Sequence, residues 1–227
     1  MTVLLILATF AVFLTIDYLY SRRRAVQAAT VPARQAQAAA RVRPSLVAGF
    51  ELPLNRRYHP GHTWAANQGM TRIRIGLDNF AAHLIGTAEK LSVPMRGRWV
   101  RQGQKLATLT RKGSEVELVA PIEGMIVDVN DAVLEDPQKA LADPYGAGWL
   151  VEVDSPDAKT NFRNLLTGSL AEAWMQDAAA RLASRLSATI GTAAIATAQD
   201  GGVAMPDLAK DLPEADWAKL AREFFLS

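Results

Sequence analysis

The histidines and carboxylates are the first side chains to weigh for chemistry. His59 and His62 lie three apart with Pro60 and Gly61 between them, and His83 completes the set of 3 histidines. No acidic residue or cysteine stands near them to finish a metal-ligand set, so no metal site is expected. The chain holds 0 cysteines, which excludes disulfides, thiolate nucleophiles, iron–sulfur clusters and cysteine-based zinc. Glu115 and Glu117, and the neighbours Glu135 and Asp136, supply carboxylates without the matched pairing that acid–base catalysis needs. Solvated surface is their expected place. No serine sits in a nucleophile elbow, and no glycine loop has the spacing of a phosphate cradle. The chain is therefore expected to have no enzyme activity and no cofactor.

The elements around these residues are short. Residues 71–75 alternate polar and apolar, the pattern of a half-buried strand. Residues 77–84 read as a short helix with Asp78 near its start. Runs 105–110 and 116–119 are strand-like, and Arg111-Lys112-Gly113-Ser114-Glu115 between them is turn-rich, as in a hairpin. Strands are also expected over 125–129 and 149–153. Helical composition appears over 158–166, 170–190 and 214–226. With 49% hydrophobic and 21% charged residues, the chain has the balance of a packed core.

The N-terminus has a different texture. From Val3 to Ile16 every residue is apolar except Thr9 and Thr15. Leu4, Leu5, Phe10 and Phe13 are among the residues that would face lipid, and the stretch is long enough, at about 1.5 Å per residue, to span a bilayer core of about 30 Å. Tyr18 and Tyr20 suit the aromatic belt. Arg22, Arg23 and Arg24 follow at once and hold the downstream side in the cytoplasm. A cleaved signal peptide would carry its basic residues before the apolar run. Residues 21–57 hold eight arginines against one acid, Glu51. Beside an apolar run, such a strip favours anionic lipid rather than nucleic acid. The reading is a single-pass inner-membrane protein with residues 1–21 as transmembrane helix and 22–57 as a basic juxtamembrane tether.

At the other end, Trp217, Leu220, Ala221, Phe224 and Phe225 form a stripe at helical spacing. So much aromatic area needs cover. Either the chain's own domain or a partner supplies it, and Trp217, Phe224 and Phe225 are the candidate partner contacts.

Several motifs between these ends resemble the H-protein of the glycine cleavage system. Tyr58, His62 and Trp64 reproduce its opening signature. Arg74-Ile75-Gly76-Leu77-Asp78 with Leu84-Ile85-Gly86, Val100-Arg101-Gln102-Gly103-Gln104 and Ala120-Pro121-Ile122-Glu123-Gly124 follow in the family's order. Asp143-Pro144-Tyr145-Gly146-Ala147-Gly148-Trp149-Leu150 is the most specific stretch. The resemblance implies an α+β fold: an H-protein-like β-sandwich (a barrel-sandwich hybrid) over 58–175, with flanking helices and a helical extension over 176–227. It also implies a lysine at the hairpin tip, acylated by lipoate, eight residues before the proline matched by Pro121. That position is Gly113, and Lys112 stands one residue earlier. A one-residue shift in a strand exchanges its faces unless the turn absorbs it.

The first expectation is thus a non-catalytic accessory or scaffold subunit, anchored beside a larger integral-membrane complex, respiratory or photosynthetic, and meeting it through a degenerate H-protein-like domain. The alternative is a membrane-tethered carrier with lipoate on Lys112.

Overall fold

The computed structural model describes residues 45–190, 204, 207–210 and 212–225. Along the chain run β1 (Ser45–Val47), β2 (Phe50–Leu52), β3 (Arg57–His59), β4 (Thr63–Asn67), β5 (Arg72–Leu77), α1 (Asn79–Ile85), β6 (Lys90–Ser92), β7 (Trp99–Val100), β8 (Lys105–Arg111), β9 (Ser114–Val119) and β10 (Gly124–Val129). Then come α2 (Asp131–Glu135), α3 (Gln138–Ala142), β11 (Val151–Asp154), α4 (Ala158–Phe162), α5 (Gly168–Ile190) and α6 (Glu214–Phe225). Three antiparallel sheets result: a hairpin β1-β2, six strands in the order β3-β4-β5-β11-β10-β7, and three in the order β6-β8-β9.

Alternation makes the two larger sheets amphipathic. In β5, Ile73, Ile75 and Leu77 are buried while Arg72 and Arg74 face out; in β9, Val116 and Leu118 go in while Glu115 and Glu117 do not. These inward faces join in one apolar core with α1 and the buried stripe Ala171, Met175, Ala178, Leu182 and Leu186 of α5. Asp78 starts α1 as its N-cap: its Oδ1 accepts the Ala81 N–H at 2.8 Å, satisfying one of the first-turn donors that the helix leaves free.

Two sequence readings change. Residues 45–57, expected as the end of the tether, form β1, β2 and the start of β3, with Val47, Phe50 and Leu52 buried. Tyr145 fixes this segment, its hydroxyl donating to Glu51 O at 2.8 Å, and Tyr58 donates to Pro53 O at 2.8 Å. Burial pushes both phenols up, so they serve as neutral donors. The helix expected over 158–166 stops at Phe162, because Leu166 returns to pair with Tyr58 through two backbone bonds of 2.8 and 3.0 Å. Of the two covers open to the C-terminal stripe, the chain's own domain supplies it: Trp217 and Phe224 are 2% exposed and Phe225 0%, so these three are core residues and not exposed partner contacts. Within the chain, Phe80 and Arg111 meet Phe224 and Trp217.

The transmembrane reading of residues 1–21, with Leu4, Leu5, Phe10, Phe13, Tyr18, Tyr20, Arg22, Arg23 and Arg24, lies outside the described residues. Among those described, no helix is long and apolar enough to cross a membrane.

Candidate functional site

The β8–β9 hairpin closes through two residues, Lys112 and Gly113, between the paired Arg111 and Ser114. Both have positive φ, 47° and 79°, the signature of a type I′ turn. Gly113 accepts that conformation freely, whereas a lysine there costs roughly 1 kcal/mol. Glu89 offsets this cost. Its carboxylate accepts the Lys112 N–H at 2.9 Å and the Gly113 N–H at 3.4 Å.

The tip is fastened from a second side. The Arg111 side chain is buried at 2% exposure, so its guanidinium needs partners. It donates to Ile85 O at 2.6 Å, to Asp207 Oδ1 at 3.0 Å and to Ala209 O at 2.8 Å, and stacks 4.4 Å over the Trp217 ring. Lys112 is exposed, yet its Nζ donates to Lys210 O at 3.0 Å. Ser114 Oγ donates to Glu214 Oε1 at 3.1 Å, and the Leu208 N–H to His83 O at 2.9 Å. Residues 207–210 and 212–214 thus lie beside the hairpin tip as a strap.

Beyond the strap, α6 lies against β9. Phe224 sits 5.1 Å from Phe80 between ring centroids, and His62 stacks on Phe80 at 4.1 Å. Glu223 joins α6 to α5 through Arg181 and Arg185 at 3.6 and 3.0 Å. Each fully buried aromatic contributes roughly 1.5–3 kcal/mol, so the strap has a firm mooring.

The motif residues elsewhere serve the frame. His62 Nδ1 meets Asp78 Oδ2 at 2.8 Å with both side chains buried, tying the start of β4 to the cap of α1. Trp64 Nε1 donates to Leu77 O at 2.6 Å and Pro144 O at 3.0 Å, and its ring lies where a Cβ on Gly76 would come within 2.6 Å. Asp143 accepts the Gly146 and Ala147 N–H groups at 3.0 and 2.7 Å. Among the described residues, no three histidine or carboxylate side chains come together as a metal-ligand group.

The profile of the glycine cleavage H-protein matches residues 56–178. The chain belongs to the glycine cleavage H-protein family. Within that family, the glycine cleavage system H protein of Myxococcus xanthus is 32% identical over 108 residues, covering 48% of this chain and 83% of that protein. The H protein of Mycobacterium tuberculosis is 32% identical over 126 residues, or 55% of this chain and 94% of that one. A crystal structure of the Mycobacterium marinum H protein shares 30% identity over 56% of this chain and 99% of its own, with a TM-score of 0.47. The strap and α6 lie beyond the stretch that matches the H-protein family.

Of the residues singled out in the sequence, Lys112 lies at the tip, and Trp217, Phe224 and Phe225 hold the strap beside it. Asp207, Glu89 and Glu214 complete the site and carried no sequence signal. Their partners lie 23 to 100 residues away, and neither spacing nor composition marks them.

Proposed function

We propose that this chain is a non-catalytic docking subunit. Its H-protein-family domain meets a larger membrane-protein complex through its surface, while its hairpin tip is fastened by its own C-terminal segment. One observation carries the reading: residues 111, 112 and 114 all bond to Asp207, Ala209, Lys210 or Glu214. A swinging arm, which the family resemblance implies for a lipoyl lysine, needs a tip that stands free. This tip is a fixed contact, and the family's lysine position holds Gly113. The apolar run from Val3 to Ile16 and the arginines at 22–24 support a bilayer anchor with the domain on the cytoplasmic side, and a respiratory or photosynthetic complex is a fitting host. Mild-detergent co-purification of the full chain and of Lys112→Ala tests this. Both should retain the same membrane-protein partner in equal yield. Loss of the partner from a folded Lys112→Ala chain contradicts the proposal.

A second reading has its own support. Lys112 is one of the two turn residues and is exposed, so the turn itself absorbs the one-residue offset. Its bond to Lys210 O survives acylation, because an amide N–H still donates. On that reading the chain carries lipoate on Lys112, and a lipoyl mass increment on protein isolated from lipoate-replete cells is its test.

A further inference from the structure

On the side of the molecule formed by residues 92–108, two strand edges from different sheets border one groove of about 670 Å³. One edge is β7, the last strand of the six-stranded sheet. The chain enters it through a tight turn in which the Arg98 N–H bonds Met95 O at 3.2 Å, and Gly97 has φ 83°. Gly97 and Arg98 then oppose the single residue Ile126: the Gly97 N–H donates to Ile126 O at 2.7 Å and the Ile126 N–H to Arg98 O at 2.9 Å. This is a glycine-led bulge, which turns the strand and re-aims its side chains. Val100 pairs with Gly124 and Trp99 with Met125. Because backbone groups alternate along an antiparallel strand, the Trp99 N–H and C=O point away from β10, into the groove.

The opposite edge is the first half of β8. Strand β6 covers β8 only from Thr108 to Thr110. After Ser92 the chain leaves the ladder towards Pro94, which has no N–H to extend it. Lys105, Leu106 and Ala107 therefore border the groove with no strand on that side. Met95 is 85% exposed and Trp99 51%, an apolar ledge along one wall. Arg96, Arg98 and Lys105 are the ionisable residues of the lining, and none of the lining residues is acidic. Arg96 is already held by Asp128 and Asp131, and Lys105 by Glu117. Arg98 is exposed and has no ion pair among the described residues.

We propose that this groove receives an extended, acidic segment of a partner protein, added as a strand between β7 and β8. Open main-chain edges select an extended backbone, alternate side chains rest on the Trp99–Met95 ledge, and carboxylates meet Arg98 and Lys105. The proposal is independent of whether Lys112 carries a group. The competing explanation is that these cations only blunt an edge against aggregation.

The probe is a synthetic acetyl-Val-Glu-Val-Glu-Val-Glu-Val-amide peptide, with its lysine-for-glutamate counterpart as control, titrated by fluorescence anisotropy into the full chain in detergent micelles. The acidic peptide should bind at least about ten times more tightly than the lysine one, lose affinity as salt rises from about 0.05 to 0.3 M, and slow hydrogen exchange at the Trp99 amide. The double variant Arg98→Glu, Lys105→Glu changes only exposed side chains and should reverse the peptide preference. Trp99→Ser should weaken the acidic peptide while leaving the fold intact. Equal binding of the two peptides, no binding, or exchange protection confined to another surface overturns the proposal in favour of a blunted edge.

Discussion

The hairpin tip and the β7–β8 groove are both places where strands end, and the chain treats them oppositely. At the tip, Arg111, Lys112 and Ser114 find partners in Ala209, Lys210 and Glu214, and the buried guanidinium leans on Trp217. At the groove, Met95 and Trp99 stay exposed and Arg98 keeps an unneutralised charge among the described residues. A turn that resembles a carrier's is bonded along its side by the chain itself, and an edge that could have been bonded in the same way has been left open. Where a domain is closed by its own chain it has little left to offer a partner; where it is open, contact can form.

The contrast can be broken most severely at Trp217. Replacing this 2% exposed indole by alanine should cost about 3–5 kcal/mol in denaturant unfolding, whereas Trp99→Ser should stay within about 0.5 kcal/mol. Similar losses at both tryptophans would erase the distinction.

Arginines sharpen it next. Arg111→Met leaves two backbone carbonyls and the Asp207 carboxylate without their donor, and should lower stability by about 2–3 kcal/mol. Arg98→Met, on the open side, should be nearly silent by the same measurement.

A smaller effect is expected at the turn. Gly113→Ala places a Cβ at φ 79° and should cost about 1–2 kcal/mol, read as a lowered Tm. Nothing lies within 4 Å of the added Cβ, so the loss comes from backbone conformation alone.

The smallest effect concerns pH. Burial, with the nearby His62, holds His59 below its ordinary pKa, and its Nδ1 accepts the Gly61 N–H at 3.0 Å, which only the neutral ring can do. A histidine with a depressed folded pKa contributes stability above its unfolded value of about 6.5, and that stability is lost as pH falls through the folded pKa. His59→Asn keeps an acceptor two residues before Gly61 and cannot titrate. Its Tm should therefore fall less than that of the parent chain as pH drops below about 6.5.

The frame was largely legible in the residues. Alternation located β5, Asp78 marked the start of α1, and the glycine-containing patch between two strand-like runs announced the hairpin. The family motifs were legible too, because close approaches such as Trp64 on Gly76 demand one residue type. What escaped was long in range or short in extent. The strands Ser45–Val47 and Phe50–Leu52 have three residues each, too few for a period to show. The strap rests on pairs such as Arg111 with Asp207, 96 residues apart, whose chemistry is that of any surface ion pair until the fold buries it. The aromatic stripe of α6 was visible, but its periodicity specifies an apolar face without specifying what covers it.

The central claim, that the hairpin tip is a fastened contact rather than a free carrier arm, is tested most directly by intact-mass spectrometry. The full chain would be produced together with a lipoate-attaching enzyme and ample lipoate, beside a carrier protein known to accept the group. The account predicts that the carrier is modified while this chain keeps its unmodified mass. A lipoyl increment on most of the chain, abolished by Lys112→Ala, would contradict it.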